Sequence, residues 1–170
     1  MRQEYNINIR NSKIRIKFRK KGDFMNPLDL ISMGKKLSNI YQELSAPICR
    51  SNGLNQTGLD VLLFFANNPQ YNTASDVCNI RGIKSGIASV AVDLLIKKGL
   101  LSRCEDEADR RKRRLVLTEK ALPIVKEGRE MQARFADALK TNITDSEFDA
   151  VESVAEKIKS NIALLESKER

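Results

Sequence analysis

Histidine is absent from the 170 residues, and cysteine occurs only three times. The missing histidine excludes Ser-His-Asp and Cys-His catalysis and every histidine-based zinc site. Cys49, Cys78 and Cys104 are odd in number and far apart, which argues against a disulfide framework. The eight glycines form neither a Walker nor a dinucleotide-binding pattern. We therefore expect no enzyme, with no catalytic residue, metal site or cofactor.

Long apolar runs are also missing. None approaches the ~20 residues that a membrane span requires, and the charged first stretch does not resemble a signal peptide. The length fits one domain, alone or with an extension, and allows a real core. We expect a soluble, cytoplasmic protein with no membrane partner.

The positive charge is concentrated at the N-terminus. The whole chain carries a net charge of +8, but residues 1–24 hold eight basic and only two acidic residues. Ile14, Ile16 and Phe18 alternate with basic residues in this segment, which is typical of a strand. A disordered basic arm that adds non-specific affinity for polyanions, or a natural start at Met25, explains the composition equally well.

A charged hairpin is predicted at residues 105–118, EDEADRRKRRLVLT. Five consecutive basic residues, Arg110 to Arg114, precede the apolar strand from Leu115 to Leu117. Five adjacent cations cannot all find buried partners, so the hairpin must project into solvent. Its tip has the charge pattern of a polyanion-binding loop.

Helices are predicted on both sides of this hairpin. Asn26-Pro27 is a helix start, and an apolar stripe from Leu30 to Leu44 follows on a helix that should end near Pro47. Thr57-x-x-Asp60 and Thr73-x-x-Asp76 resemble capping boxes, and Thr118 should cap a long helix that bears Ile124, Met131, Phe135 and Leu139. Thr144-x-x-Glu147 starts a last helix. Its apolar residues are spaced three and four apart and form what we call the heptad seam: Phe148, Val151, Ala155, Ile158, Ile162 and Leu165.

The hairpin and its upstream helices resemble the MarR family of winged helix-turn-helix regulators. Asp106 to Arg111 (DEADRR), followed after five residues by Leu117-Thr118, is similar to the family's wing motif D-x-x-D-R-R…L-T. Residues 73–84 resemble its first helix and turn, with Gly82 at the turn. Residues 84–101 resemble its recognition helix, with Asp93 in place. The resemblance covers Asn26 to about Leu165.

The resemblance implies a mainly α fold with a small β wing. Residues 1–25 would be a basic N-terminal extension, and residues 26–170 a MarR-type domain. Within that domain, residues 55–117 would form the winged helix-turn-helix, and residues 26–48 and 118–166 the N- and C-terminal dimerisation helices. The heptad seam could also fold against its own chain, but the resemblance favours an interface between two protomers.

The resemblance also assigns the DNA-contacting residues. Lys84, Ser85 and Ser89 would face base edges and phosphates in the major groove. Arg111 would enter the minor groove, held by Asp109. Arg110, Lys112 and Arg113 would contact phosphates.

The recognition helix departs from the family on its outward side. Ala88, Ala91, Val92 and Leu95 form the expected inward face. Positions where many members place threonine or arginine hold Ile87, Val90 and Leu94. These side chains would either contact thymine methyl groups or pack on another part of the protein.

The family usually responds to a small phenolic or lipophilic effector. Tyr41, Phe64, Phe65 and Phe135 could line such a pocket or belong to the core. A cysteine sensor is the family's other mode, and Cys49 is the least core-like of the three cysteines. The expected function is a homodimeric repressor that binds double-stranded DNA at a pseudo-palindromic operator and is released by a small ligand. The alternative is a MarR-like protein deficient in DNA binding that acts through protein partners.

Overall fold

The computed structural model describes residues 3–9, 12–18, 26–105 and 113–167. The chain divides into two compact units, residues 1–43 and 44–170. In the first unit, strands β1 (Gln3–Ile9) and β2 (Ser12–Phe18) pair antiparallel, from Gln3 opposite Phe18 to Ile9 opposite Ser12. The predicted strand through Ile14, Ile16 and Phe18 is present as β2, and β1 pairs with it.

Helix α1 (Pro27–Asn52) begins as the sequence predicts but runs beyond Pro47. The Asn26 side chain accepts a hydrogen bond from the Leu28 backbone at 3.0 Å, so Asn26-Pro27 is a true helix start. The predicted end near Pro47 is wrong. A proline inside a helix costs about 3 kcal/mol, but the turn that follows it buries Ile48 and Cys49 in the core. The helix ends instead before Gly53, whose φ of 58° allows the left-handed turn.

Helix α2 (Gln56–Asn67) starts from a different cap than the one predicted. The Asn55 side chain, and not that of Thr57, accepts a hydrogen bond from the Gly58 backbone at 2.7 Å. The predicted Thr57–Asp60 box is therefore wrong. Asp60 instead accepts a hydrogen bond from the Gln56 amide at 2.9 Å.

The remaining elements follow in the order expected for a winged helix. These are α3 (Ala74–Arg81), α4 (Ser85–Lys97), β3 (Leu101–Glu105), β4 (Arg113–Leu117), a 3₁₀ turn (Glu119–Ala121), α5 (Leu122–Lys140) and α6 (Asp145–Ser167). Thr118 precedes the 3₁₀ turn, but its hydroxyl donates to the Gly99 carbonyl at 2.6 Å and does not cap a helix, which corrects that prediction.

The core of the second unit is built around α2. Leu59, Val61, Leu62 and Leu63 are almost completely buried, and α2 contacts both α4 and α5. Helix α5 approaches α2 closely at Gly128, where an added Cβ would lie 2.6 Å from Leu63 Cδ2. Close packing of this kind leaves no room for an extra methyl group.

Arg129 joins the end of α2 to α5. Its Nε donates to Asn67 Oδ1 at 2.9 Å, and its terminal nitrogen donates to the Ala66 carbonyl. The last carbonyls of a helix lack intrahelical partners and carry partial negative charge. A guanidinium from a neighbouring helix satisfies both needs at this end of α2.

Helix α6 starts at the predicted capping box. The Thr144 backbone donates to Glu147 Oε2 at 2.9 Å, and Glu147 returns a backbone hydrogen bond to Thr144 Oγ1 at 3.4 Å. Hydrogen bonds that the Thr144 backbone and hydroxyl donate to the Glu147 carboxylate hold the pKa of Glu147 below its usual value. The heptad seam that follows is largely exposed in the single chain, with Val151 61% and Leu165 50% accessible. Among the described residues, no helix is long and apolar enough to cross a membrane.

The close approach at Gly128 gives the first testable prediction. Gly128→Ala should lower the free energy of unfolding by about 1–3 kcal/mol, because Leu63 is buried and cannot move away from the new methyl group. Equilibrium urea unfolding measures the change. Gly86→Ala is the matched control, since nothing in the described part of the chain lies within 4 Å of a Cβ there. Equal stability of Gly128→Ala and wild type would contradict the packing.

Candidate nucleic-acid interface

Helices α3 and α4 form a helix-turn-helix whose start and turn are fixed locally. Thr73 and Asp76 form the predicted capping box, with the Asp76 backbone donating to Thr73 Oγ1 at 3.2 Å and the Thr73 backbone donating to Asp76 Oδ2 at 2.8 Å. Gly82 ends α3 at a φ of 63°, a conformation that glycine adopts without strain. The predicted turn at Gly82 is confirmed.

The inward face of α4 also matches the prediction. Ala88, Ala91, Val92 and Leu95 are each at most 3% exposed. Their spacing of three and four residues puts them on one side of the helix. Burial of this stripe against α2 and α3 fixes the rotation of α4 about its axis, so the opposite side must face away from the core.

The three candidate residues of α4 lie together at its start. Lys84 is the N-cap residue, and Ser85 and Ser89 follow within the first two turns. All three are exposed. The first turn contains no acidic residue, and the backbone N–H groups of a helix start carry partial positive charge. This end of α4 can therefore hydrogen-bond to an anion or to a base edge.

The outward apolar residues of α4 divide into two groups. Leu94 is half-buried, and its Cδ2 would lie 3.8 Å from a Cβ placed at Gly58 of α2, so Leu94 packs on its own chain. Ile87 and Val90 are 50% and 69% exposed. All three residues line an open groove of about 220 Å³ between α4 and the start of α2.

The wing begins as a regular antiparallel pair. Leu101 lies opposite Leu117, and Glu105 lies opposite Arg113. Leu115 is buried and Arg114 is exposed, as strand alternation predicts. The predicted tip residues Asp109, Arg110, Arg111 and Lys112 lie outside the described residues, and Arg113 is described only as the first residue of β4.

The base of the wing is tied to the helix-turn-helix. The Leu115 backbone donates to the Asn72 carbonyl at 2.7 Å, and the Thr118 backbone donates to the Leu100 carbonyl at 3.1 Å. These bonds join β4 to the segment before α3 and to the segment after α4. The wing strands therefore have a fixed position relative to α4.

Arg103 is a residue that the sequence reasoning missed. Its guanidinium lies 2.7 Å from the carboxylate of Asp93, which joins β3 to α4. Both side chains are exposed, so the pair contributes little to stability. Its effect is electrostatic, because it neutralises the only acidic residue of α4. The sequence resemblance included Asp93, but no sequence motif indicated that Arg103 would pair with it.

The structure bears on two predictions about effector sensing, the aromatic pocket residues and the cysteine sensor. Phe64 and Phe65 are 5% exposed and belong to the core, where Phe64 also stacks on Tyr71 at 6.0 Å between ring centroids. Cys49 is not the least core-like cysteine; it is buried, whereas Cys104 is exposed. Burial, together with the nearby Asp60 carboxylate, raises the pKa of the Cys49 thiol despite the opposing effect of Arg50. A thiol of this kind is a poor nucleophile.

A recognition-type helix held by an upstream helix, followed by a two-stranded wing, defines a winged helix-turn-helix protein. Residues 52–112 match the family model described as MarR family. The predicted resemblance to the MarR family is thereby confirmed over this segment, which includes the helix-turn-helix.

Solved structures of MarR proteins share the fold along most of the chain. A MarR protein from Peptoclostridium difficile is 22% identical, with a TM-score of 0.67 over 85% of this chain and 95% of that one. The regulator MarR from Oenococcus oeni is 20% identical, with a TM-score of 0.65 over 77% and 98%. The S. aureus MepR–DNA complex is 15% identical, with a TM-score of 0.68 over 81% and 96%. The predicted fold class, mainly α with a small β wing, is confirmed.

The capping box of α3 predicts a pH dependence of stability. Burial raises the pKa of Asp76, but hydrogen bonds from the Thr73 side chain and from the Thr73 and Asn72 backbones outweigh it and hold the pKa below the ordinary value of 3.8. A depressed carboxyl pKa stabilises the fold above the unfolded-state pKa, and this contribution is lost as pH falls through the folded-state pKa. Asp76→Asn should therefore cost on the order of 1 kcal/mol at pH 7.

Urea unfolding of both proteins between pH 7 and pH 3 measures this contribution. The difference between wild type and Asp76→Asn should be constant above about pH 5 and should shrink below the ordinary pKa of 3.8. Asp137→Asn, on the exposed surface of α5, is the control. A difference in the free energy of unfolding that does not change with pH would show that the charge of Asp76 does not contribute to stability.

Proposed function

We propose that this protein is a cytoplasmic, homodimeric transcriptional repressor that binds a pseudo-palindromic operator in double-stranded DNA. The observation that carries the proposal is the exposure of Lys84, Ser85 and Ser89 at the start of α4, on a helix whose rotation the core fixes. A helix presented in this way enters the major groove with its first turns toward the base edges.

The comparison with known structures supports binding to duplex DNA. One of the similar structures is a complex of MepR with DNA, and its fold matches 81% of this chain. In our proposal, α4 of this protein is the helix that reads DNA. Lys84 contacts the phosphate backbone, and Ser85 and Ser89 hydrogen-bond to bases or phosphates.

The wing supplies the second contact in this proposal. The sequence places five cations from Arg110 to Arg114 between the end of β3 and the first two residues of β4, and β4 is hydrogen-bonded to the segment before α3. Arg111 enters the minor groove, where a narrow groove concentrates negative potential, and Asp109 orients it. Arg110, Lys112 and Arg113 bind phosphates and position the protein without selecting sequence.

Dimerisation is proposed from two exposed apolar stripes. Met33, Ile40 and Leu44 of α1 are each between 44% and 47% exposed, and the heptad seam of α6 is largely exposed as well. Contiguous apolar side chains exposed to water often mark a protein interface. Two copies related by a two-fold axis present two α4 helices to half-sites one helical turn apart, which is why the operator is pseudo-palindromic.

Release by a small phenolic or lipophilic effector completes the proposal, as the family resemblance implies. A gel-shift assay on the DNA upstream of the protein's own gene tests the function directly. Specific retardation that competitor DNA does not abolish is the expected result. No retardation of any duplex would favour the alternative, a MarR-like protein deficient in DNA binding that acts through protein partners.

The wing proposal predicts different effects for neighbouring basic residues. Arg111→Ala should weaken operator binding by about 1–3 kcal/mol, because it removes one positioned minor-groove contact. Lys112→Ala should weaken operator and random DNA about equally, since it removes only a phosphate contact. Fluorescence anisotropy at matched salt measures both. Operator affinity of Arg111→Ala equal to that of wild type would disprove its role.

The dimer proposal predicts that charge in the heptad seam prevents assembly. The pair Ile158→Asp with Ile162→Asp should dissociate or unfold the protein, because association would bury unpaired charges. Ser153→Asp with Ser160→Asp, on the opposite side of α6, is the matched control and should leave the dimer intact. Sedimentation equilibrium measures the mass. A wild-type monomer at micromolar concentration would contradict the proposal.

A further inference from the structure

The outward side of α4 presents branched apolar side chains as well as the exposed serines. At 100° per residue, Gly86, Val90, Asp93 and Lys97 lie opposite the buried stripe. Ser85 and Ser89 lie on one flank of this exposed face. Ile87 lies on the other flank, beside the groove next to α2. Polar and branched apolar groups are therefore presented side by side in the first two turns.

Within the described residues, Ile87 and Val90 have no packing role comparable to that of Leu94. They are 50% and 69% exposed, whereas Leu94 is half-buried against the start of α2. Gly86 lies one turn before Val90, and within the described ranges nothing lies within 4 Å of a Cβ at Gly86. The fold does not need a glycine there for space. Its missing side chain leaves the helix surface beside Ile87 and Val90 open to close approach.

The charge on this face favours DNA over an apolar protein partner. Asp93 is the only acidic residue of α4, and Arg103 neutralises it at 2.7 Å. Lys84 and Lys97, at the two ends of the helix, add positive charge. A protein partner that docks through apolar contacts would match only the flank with Ile87 and Val90, whereas the exposed Ser85 and Ser89 on the other flank fit the polar edges of bases.

We propose that Ile87 and Val90 read the 5-methyl groups of thymine in the major groove. This inference rests on the proposed function and specifies its substrate, an operator with thymine at the base steps that face the first two turns of α4. Thymine presents a methyl group in the major groove that no other standard DNA base has, and apolar side chains contact it favourably. The flanking Ser85 and Ser89 accept or donate hydrogen bonds at the polar edges of the neighbouring bases.

The test replaces thymine by uracil, which removes the methyl group and keeps the base-pairing and hydrogen-bonding groups. The preferred site is first selected from a random duplex library with the full-length protein. Each thymine of that site is then replaced singly by uracil, and the dissociation constant is measured by fluorescence anisotropy. Loss of one buried methyl contact should weaken binding about fourfold at the contacted positions and leave the other positions unchanged.

Two variants assign the effect to the named side chains. Ile87→Ala and Val90→Ala should each bind the thymine and uracil forms of the contacted position about equally, while their affinity for random DNA stays at the wild-type value. Both side chains are exposed, so the variants should fold normally. Leu122→Ala is the matched control, because Leu122 is similarly exposed at 55% but lies outside α4. It should keep the full preference for thymine.

The outcomes separate this inference from the function on which it rests. Specific binding that uracil weakens, with the preference lost in Ile87→Ala or Val90→Ala, supports the thymine contact. Specific binding with equal affinity for thymine and uracil at every position overturns the inference and leaves the proposed function standing. Failure to select any duplex overturns the proposed function itself, and the apolar face would then belong to a protein partner.

Discussion

Burial of α2 is the constraint on which the second unit depends. Eight of its residues are buried, and both α4 and α5 contact it. At Gly128 the approach of α5 is so close that Leu63 leaves no room for a side chain. Arg129 then binds the carbonyl end of α2. Because the interior is packed at crystal-like density, these contacts fix the helices that carry the candidate interface.

Helix α4 has to serve the core and the surface at once. Its four buried residues, at most 3% exposed, set its rotation about its own axis. The same rotation turns Lys84, Ser85, Ser89, Ile87 and Val90 outward. The Arg103–Asp93 pair neutralises the one acidic side chain of α4, which would otherwise repel a phosphate backbone. The wing strands are held beside α4 by backbone hydrogen bonds to Asn72 and Leu100.

Local signals in the sequence were misread where tertiary contacts changed their effect. Pro47 does not end α1, because the turn after it is buried in the core. Thr57 does not cap α2, because Asn55 stands one position before the helix and takes that role. Cys49 was predicted to be the least core-like cysteine, but it is buried because α1 continues past Pro47 into the core. At Pro47 and Cys49 packing chose between two structures that the local pattern allowed, whereas at Thr57 the hydrogen bond from Gly58 to Asn55 decided the start of the helix.

The sequence by itself determined the order of helices and wing strands, the boxes at Thr73 and Thr144, the left-handed turn at Gly82 and the inward face of α4. The boxes at Thr73 and Thr144 depend on residues within one turn of each other, so spacing and residue type predicted them, whereas the resemblance to the MarR family supplied the turn at Gly82, the inward face of α4 and the order of the elements. Only the tertiary structure decided that Leu94 packs on α2 while Ile87 and Val90 stay exposed, and that Arg103 neutralises Asp93. These contacts join residues from different elements, and no local pattern encodes which distant side chain will meet them.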